Sequence, residues 1–120
     1  MRKILIAEDE RDILDLIMFT LQFGGYDVIP TSNGADALDI TMREKFDLVL
    51  CDMAMPHISG YDIIKTLNRL DETPKIGIIT GWDGKPIATD DKDISVDFIL
   101  KKPFDFNILT KHINELFISG

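Results

Sequence analysis

The sequence predicts an α/β fold in which a doubly wound, five-stranded parallel sheet is covered by helices on both faces. Five short apolar runs, rich in β-branched residues, are each too short for a helix and resemble strands buried on both faces. Longer amphipathic stretches lie between most of them, as the right-handed crossovers of a parallel sheet require. A length of 120 residues suits one core, so we assign residues 1–120 to one domain.

The five predicted strands are the apolar runs themselves. They occupy residues 4–7, 28–29, 48–51, 76–79 and 98–100. In this alternating (βα)5 arrangement the third strand is expected at the centre of the sheet. Ligands of such sheets bind outside the carboxyl ends of the strands, so the residues that follow each strand matter most for function.

Four helices are predicted from apolar residues that recur at helical spacing. The first covers residues 13–21 and ends at the glycine pair 24–25. Asn33 is placed to cap the second helix, Ser59 precedes the third, and Asp105 is placed to cap the last. Each helix therefore has its own start or stop signal.

The segment between the fourth and fifth strands has the weakest helical pattern. Residues 81–95 include Gly84 and Pro86 and show little apolar periodicity. Both residue types disfavour a helix interior. A crossover helix is expected here, but it should be short or loose.

The charge balance argues against two classes of ligand. Thirteen basic and 21 acidic side chains give a formal net charge of −8 at pH 7. Nucleic acid and anionic membrane surfaces attract basic proteins, so neither is expected as a direct partner. No apolar run approaches the ~20 residues of a membrane span. The apolar start ends at Glu8, so we expect no export signal and a cytoplasmic protein.

Cysteine and histidine usage excludes further classes of site. The single cysteine, Cys51, rules out an internal disulfide framework and a cysteine-rich zinc site. We interpret it as a buried strand residue. The two histidines, His57 and His112, are far apart and do not suggest a metal cluster. We expect His57 in an exposed loop and His112 packed on the apolar side of the last helix.

Polar side chains follow four of the predicted strands at the point where each strand ends. They are Glu8, Asp9, Asp52, Thr80 and Lys102. Because these strand ends share one edge, the side chains should converge. Three crowded carboxylates repel one another unless a cation neutralises them, and oxygen ligands without sulfur or imidazole suit Mg²⁺. The sequence therefore predicts a magnesium site at this edge.

The same set of side chains suits phosphoryl transfer to a carboxylate. A carboxylate attacks in line, while Mg²⁺ and a lysine stabilise the charge on the transferred group. Asp52 is the best acceptor, because it follows the central strand. Lys102 would supply the cation and Thr80 a hydroxyl donor. Lys101 is a rival for the first role, but we expect it to be a solvated surface lysine.

Four segments, in order, resemble the receiver domain of two-component response regulators across nearly the whole chain. They are ILIAED at residues 4–9, DLVLCDMAMP at residues 47–56 followed by Gly60, IITG at residues 78–81 and KPF at residues 102–104. Any one of these segments alone would be weak evidence. The resemblance implies a flavodoxin-like, CheY-like three-layer sandwich.

The resemblance implies a role for each acidic residue of the predicted site. Asp52 would be the phosphorylated aspartate and would also contact Mg²⁺. Asp9 would bind the metal directly, and Glu8 would act through water. The backbone carbonyl of Ala54 would be a further metal ligand, which any residue type can supply.

Further roles concern the phosphoryl group and the loops around it. By resemblance, Thr80 would hydrogen-bond the acyl phosphate and Lys102 would pair with one of its oxygens. The peptide bond between Lys102 and Pro103 would be cis. Pro56 and Gly60 would shape the loop that follows the third strand.

Three departures from the family's usual pattern concern four positions. Glu8 stands where many members have Asp, which changes reach and not charge. Ile99 occupies a position that often holds an aromatic side chain, so aromatic switching coupled to Thr80 is in doubt. Ala54 and Trp82 flank the expected phosphoryl group. We hypothesise that they alter water access and so the lifetime of the phosphorylated state.

The resemblance implies a signalling role in a phosphorelay. The chain would take its phosphoryl group from a sensor histidine kinase or a phosphotransfer protein. It would report the change through the face formed by the segment before the fifth strand, that strand and the last helix. A downstream target or an output domain on another chain would respond, and dimerisation stays open. The chain would promote its own phosphorylation and dephosphorylation without being a conventional enzyme.

That predicted reporting face is acidic. Residues 83–97 carry five aspartates against two lysines. A partner docking there should therefore be basic or neutral, and its binding should weaken with salt.

Three other functions fit the sequence less well. An aspartate-nucleophile phosphatase would need a second acid two residues after the nucleophile, where Ala54 stands. A phosphate-inert receiver-like module is disfavoured by the intact set of acids, Thr80 and Lys102. A flavin-binding protein of similar topology would need a phosphate loop after the first strand, where residues 8–10 are all acidic.

Overall fold

The computed structural model describes residues 2–53, 60–81 and 95–118. Its five strands form one parallel sheet in the order β2-β1-β3-β4-β5. They are β1 (Lys3–Ala7), β2 (Asp27–Thr31), β3 (Leu48–Asp52), β4 (Lys75–Thr80) and β5 (Phe98–Lys101). The five predicted strands are confirmed, each one or more residues longer than its apolar run, and β3 is central as expected.

The four predicted helices are also confirmed in the described part of the chain. They are α1 (Arg11–Phe23), α2 (Gly34–Arg43), α3 (Gly60–Asn68) and α4 (Phe106–Ile118). The loose helix predicted between β4 and β5 falls largely on residues 82–94, which lie outside the described residues, as does Ser59. Among the helices of the described ranges, none is long and apolar enough to cross a membrane.

Local signals fix where the helices begin and end. Asn33 Oδ1 accepts a hydrogen bond of 2.8 Å from the backbone N–H of Asp36, which caps α2. Asp105 Oδ1 accepts one of 2.8 Å from the backbone N–H of Asn107 at the start of α4. Gly25 follows α1 with a φ of 91°, a conformation that glycine adopts without strain. The two predicted caps are therefore present.

Helices on both faces of the sheet bury two apolar clusters. Strand residues alternate between them, so Ile4 and Ile6 of β1 face one cluster while Leu5 and Ala7 face the other. On the first face, α1 and α4 contribute Leu14, Ile17, Leu21, Leu109 and Ile113. On the second, α2 and α3 contribute Ala37, Ile63, Ile64 and Leu67. Each fully buried leucine or isoleucine side chain stabilises the fold by roughly 1.5–3 kcal/mol.

The edge strands differ from the three inner ones. Strands β1, β3 and β4 are buried along nearly their whole length, as their continuous apolar runs predicted. In β5, Phe98 and Leu100 are buried while Ile99 and Lys101 are exposed. The buried inner strands therefore support the side of the sheet at which their carboxyl ends meet.

Candidate functional site

The acidic residues of the predicted site come together because neighbouring parallel strands end at one edge of the sheet. Asp52 is the last residue of the central strand, and Glu8 directly follows β1. The β1–β3 register aligns Ala7 with Cys51, which places Glu8 beside Asp52. The backbone N–H of Glu8 also donates to the carbonyl oxygen of Thr31 at 3.0 Å, so Glu8 is held as a continuation of the sheet.

Three carboxylates form a compact cluster at this edge. Glu8, Asp9 and Asp52 each offer one oxygen, and these oxygens lie within 4.8 Å of one another. Glu8 and Asp52 are buried, with relative exposures of 0% and 2%, whereas Asp9 is exposed. The cluster therefore has a buried wall and one side open to solvent.

Lys102 supplies the positive charge of the cluster. Its Nζ donates to Glu8 Oε1 at 2.6 Å and to Asp52 Oδ2 at 3.2 Å. It also donates to Glu10 Oε1 at 3.3 Å. Only 13% of the lysine side chain is exposed, so a single, largely buried ammonium is shared by three carboxylates. Lys101, its rival in the sequence, is exposed.

The local electrostatics leave the cluster short of positive charge. Burial and the neighbouring Asp52 raise the pKa of Glu8 to about 8, although Lys102 opposes this. Burial and the charge of Asp52 also raise the pKa of Asp9. Burial alone would lower the pKa of Lys102, but Glu8 and Asp52 outweigh it, and the pKa lies above its ordinary value. One ammonium does not neutralise this many carboxylates, so a further cation would stabilise the site.

The donor set fits Mg²⁺. Glu8 Oε2 is buried and accepts no hydrogen bond from any of the described residues. A buried carboxylate oxygen without a donor is costly, and a cation relieves that cost. Glu8, Asp9 and Asp52 supply hard oxygen ligands, and the exposed side of Asp9 leaves room for the waters that Mg²⁺ retains. The predicted metal site is therefore consistent with the geometry of these side chains.

Thr80 and Lys102 are joined through the backbone at the same edge. Thr80 is the last residue of β4, and its carbonyl oxygen accepts a hydrogen bond of 2.8 Å from the N–H of Lys102. The peptide bond between Lys102 and Pro103 is cis, as the resemblance implied. Both residues thus lie where the sequence placed them.

The loop after β3 is only partly described. Ala54, Pro56 and His57 lie outside the described residues, as does Trp82 beyond β4. Their proposed contributions to the metal site, the loop and water access stay predictions.

Gly60, the first residue of α3, lies very close to the backbone of Asp52 and Met53. A Cβ atom on Gly60 would lie 2.6 Å from the carbonyl oxygen of Asp52 and 2.7 Å from Cα of Met53. Those are backbone atoms, which cannot turn away as a side chain can. Glycine at this position therefore lets α3 begin directly against the end of β3.

Cys51 and His112, for which the sequence predicted packing roles, lie in apolar or aromatic surroundings. Cys51 is fully buried, and burial raises the pKa of its thiol to about 12, so the reactive thiolate is disfavoured. The ring of His112 stacks on Phe98 with centroids 4.9 Å apart. Both observations agree with packing roles.

Two features of the site surroundings were missed by sequence reasoning. Glu10 contacts Lys102, although the sequence analysis gave it no role beyond its acidic charge. The signal in the sequence was its place directly after Glu8 and Asp9, at the end of the first strand. The second feature is an exposed apolar stripe on α1 formed by Leu16, Phe19 and Phe23. Its spacing of three and four residues was visible in the sequence, separate from the buried stripe of the same helix.

Comparisons with known proteins agree on one family. Residues 4–114 match the family described as response regulator receiver domain. The response regulator receiver protein CpdR of Brucella abortus is 31% identical over 120 residues, which cover 100% of both chains. The sporulation initiation phosphotransferase F of Bacillus subtilis is 33% identical over 105 residues, or 88% of this chain and 85% of that protein.

A solved structure gives the same result for the fold. The response regulator protein TrrA of Thermotoga maritima, crystallised in complex with Mg²⁺-BeF, is 28% identical. The similarity covers 97% of this chain and 99% of that one, with a TM-score of 0.85. The predicted α/β three-layer architecture is therefore also that of a solved relative.

Proposed function

The chain belongs to the family of response regulator receiver domains, the phosphoacceptors of two-component signalling, and from this premise we propose that Asp52 takes the phosphoryl group. One observation carries the assignment. Asp52 ends the central strand, is 2% exposed, and has the Lys102 ammonium 3.2 Å from its Oδ2 and two further carboxylates beside it.

The transfer itself needs little from the protein beyond position and charge. An oxygen of Asp52 forms a bond to phosphorus, while the bond from phosphorus to the donor atom breaks and the donor leaves with the electron pair. Lys102 turns from the carboxylates toward the new phosphoryl oxygens. Thr80, at the end of β4, offers a hydroxyl to the same group. The product is an acyl phosphate on Asp52.

Mg²⁺ is the cofactor that we assign to the acidic cluster. Glu8, Asp9 and Asp52 would hold it, with the backbone carbonyl of Ala54 as a further ligand. When bound, the metal would supply positive charge beside the oxygens of the phosphoryl group as it is transferred. The raised pKa of Glu8 and its Oε2, which has no hydrogen-bond partner among the described residues, support this assignment, because both mark a site short of positive charge.

We infer that the phosphodonor is a sensor histidine kinase or a phosphotransfer protein. The exposed stripe of Leu16, Phe19 and Phe23 supports a protein donor. These apolar side chains are 52%, 65% and 96% exposed, and a protein that covers them would remove them from water, which favours binding. Leu16 and Lys102 line the same cavity of about 430 Å³, so one end of this stripe lies near the lysine of the phosphoryl site.

We further propose that the chain signals as a stoichiometric relay and not as a turnover enzyme. Phosphorylation adds negative charge at Asp52, and Thr80 and Lys102 respond by moving toward it. Both residues adjoin β5, so the surface of β5 and α4 would report the change to a downstream target or an output domain on another chain. This is a shift between two existing conformations.

The test is to incubate the protein with Mg²⁺ and acetyl phosphate and to measure the mass of the intact chain by mass spectrometry. We expect a gain of one phosphoryl group that hydroxylamine removes and that Asp52→Ala abolishes. Asp71→Ala, which removes an exposed acid outside the cluster, is the matched control and should be labelled like the wild type. Unchanged labelling of Asp52→Ala would mean that another residue is the acceptor. No labelling of the wild type by any of several phosphodonors would favour a phosphate-inert module.

A further inference from the structure

Glu10 contacts the phosphoryl-transfer site without belonging to its metal cluster. Its Oε1 lies 3.3 Å from Lys102 Nζ, the same ammonium that contacts Glu8 and Asp52. Since Asp52 and Glu10 both contact one nitrogen, their carboxylates are no more than two contact distances apart. Glu10 is nonetheless 60% exposed, so it stands at the solvent side of Lys102.

The position of Glu10 at the N-cap of α1 does not explain where its carboxylate points. Glu10 is the N-cap residue of this helix, yet its side chain makes no capping hydrogen bond. Only its backbone carbonyl serves the helix, accepting from the N–H of Leu14 at 2.9 Å. An N-cap side chain ordinarily satisfies an unpaired N–H of the first turn. Here the carboxylate contacts Lys102 instead. It therefore places a negative charge on the solvent side of Lys102, which we call the entrance to the site.

A cavity in the surface adjoins the contact between Glu10 and Lys102. Glu10 and Lys102 both line the cavity of about 430 Å³, together with Pro103, Phe104 and Phe106. A small phosphodonor that approaches Asp52 from this side passes the Glu10 carboxylate. The Glu10 charge would act on such a donor through partly solvated space, where one unit charge still changes the rate of transfer severalfold.

We propose that Glu10 is a positioning and specificity-determining residue, which holds Lys102 on the entrance side and biases Asp52 against small dianionic phosphodonors. The inference rests on the proposed function, because it presumes transfer to Asp52. It implies that the site favours donors whose charge is lower, or whose docking on the protein surface outweighs the repulsion at the entrance.

Two small donors of different charge test the proposal. Acetyl phosphate is a dianion at neutral pH, whereas phosphoramidate carries a protonated nitrogen that cancels one negative charge. With the first, Asp52 bonds to phosphorus as the phosphorus–oxygen bond breaks and acetate leaves with the electron pair. With the second, the phosphorus–nitrogen bond breaks and ammonia leaves with the electron pair. The readout is the ratio of the two second-order labelling rates, measured in Mg²⁺ by intact mass.

We expect Glu10→Gln to raise the acetyl phosphate to phosphoramidate ratio by roughly three- to tenfold. Glu10→Asp keeps the charge and should stay within about twofold of the wild-type ratio. Asp12→Asn removes an equal charge from the exposed first turn of α1 and should also stay within about twofold. A general loss of folding would slow both donors alike and leave the ratio unchanged, so the ratio isolates the charge effect.

Ionic strength provides a second readout. Added salt should raise the wild-type rate with acetyl phosphate more than that of Glu10→Gln, because salt screens the repulsion that the variant lacks. An unchanged ratio in Glu10→Gln, with the wild type labelled normally, overturns this inference and leaves the proposed function standing. An equal rise in Asp12→Asn overturns it too, since the effect would then be that of overall charge. Failure of both donors to label the wild type would overturn the proposed function and this inference together.

Discussion

Lys102 Nζ lies 2.6 Å from Glu8 Oε1, although the two residues are 94 positions apart in the chain. Glu8 is fully buried, and the lysine side chain is only 13% exposed. A buried ion pair of this kind adds little net stability over an apolar pair, but removing one partner leaves an uncompensated charge. The contact also joins the segment after β1 to the segment after β5. The folded state of the metal-free protein therefore depends on charges to which we assign a role in phosphoryl transfer.

The first prediction concerns the loss of this lysine. Above about pH 8, where Glu8 is ionised, Lys102→Met should lower the free energy of unfolding by about 1–3 kcal/mol without metal, because Glu8 and Asp52 then repel each other unopposed. Urea unfolding followed by circular dichroism measures the change. Lys101→Met, at an exposed neighbouring position, is the control and should shift stability by about 0.5 kcal/mol or less.

Magnesium should distinguish this electrostatic effect from a packing defect. Mg²⁺ supplies the positive charge that Lys102→Met lacks, so it should stabilise the variant more than the wild type. Equal stabilisation of both by Mg²⁺ would contradict the view that Lys102 balances the charge of the cluster.

The second prediction concerns the pH dependence of stability. The pKa of Glu8 is raised from 4.5 to about 8 in the folded protein, so the folded state holds this proton more tightly than the unfolded state. The corresponding stability is fully present below about pH 4.5 and is lost as pH rises through about 8. Lys102, whose pKa lies above its ordinary value, stays charged throughout this window.

Glu8→Gln should remove this part of the pH dependence. Without metal, the variant should lose about 1–2 kcal/mol less than the wild type between pH 5 and pH 8.5. Thermal or urea unfolding in a chelator at several pH values measures the slope. Glu115→Gln, which removes an exposed carboxyl from α4, should retain the wild-type slope. A wild-type slope in Glu8→Gln would show that Glu8 does not titrate in this window.

The fold was predictable because its strands are marked by composition. The inner strands are continuous apolar runs, and Asn33 and Asp105 mark helix starts by a local interaction. The predicted ends of the strands were less accurate. Pro30 and Thr31 belong to β2 through parallel pairing with β1, a relationship between backbones that the side-chain pattern does not encode.

The site was predictable wherever topology alone brings residues together. Asp52 and Thr80 end strands, so their meeting at one edge follows from the parallel sheet. The contact between Glu10 and Lys102 has no such basis. It depends on the side-chain conformation of a long lysine that can reach several acids, and on the direction in which α1 leaves the sheet. Single-sequence patterns carry neither quantity.

The third prediction concerns the close approach of α3 to the acceptor strand. Gly60→Ala should destabilise the fold by about 1–3 kcal/mol, because its Cβ would lie 2.6 Å from the carbonyl oxygen of Asp52. It should also slow labelling by acetyl phosphate, since relief of the contact moves the end of β3. Gly24→Ala is the control, because its Cβ would meet Leu21 at an ordinary 3.5 Å. A Gly60→Ala variant with normal stability and labelling would show that the acceptor strand tolerates this displacement.

The fourth prediction concerns how the phosphorylated state reaches the surface. The N–H of Lys102 donates to the carbonyl oxygen of Thr80 at 2.8 Å, so movement at the site is coupled to the end of β5. Ile99 is 44% exposed on that strand and Ile108 is 47% exposed on α4. Adding Mg²⁺ and beryllofluoride, the combination crystallised with TrrA, should shift the methyl NMR signals of both isoleucines.

Ile29 is the matched control for this experiment, because it lies on β2 at the opposite edge of the sheet. Its methyl signals should move far less than those of Ile99, since the sheet separates it from β5. Asp52→Ala should remove the shifts at Ile99, because the variant has no carboxylate to receive the beryllofluoride. Signals that move equally at Ile29 and Ile99 would mean that the change spreads through the whole sheet. Signals that stay fixed at Ile99 would mean that β5, which carries an aliphatic side chain here, does not report the phosphorylated state.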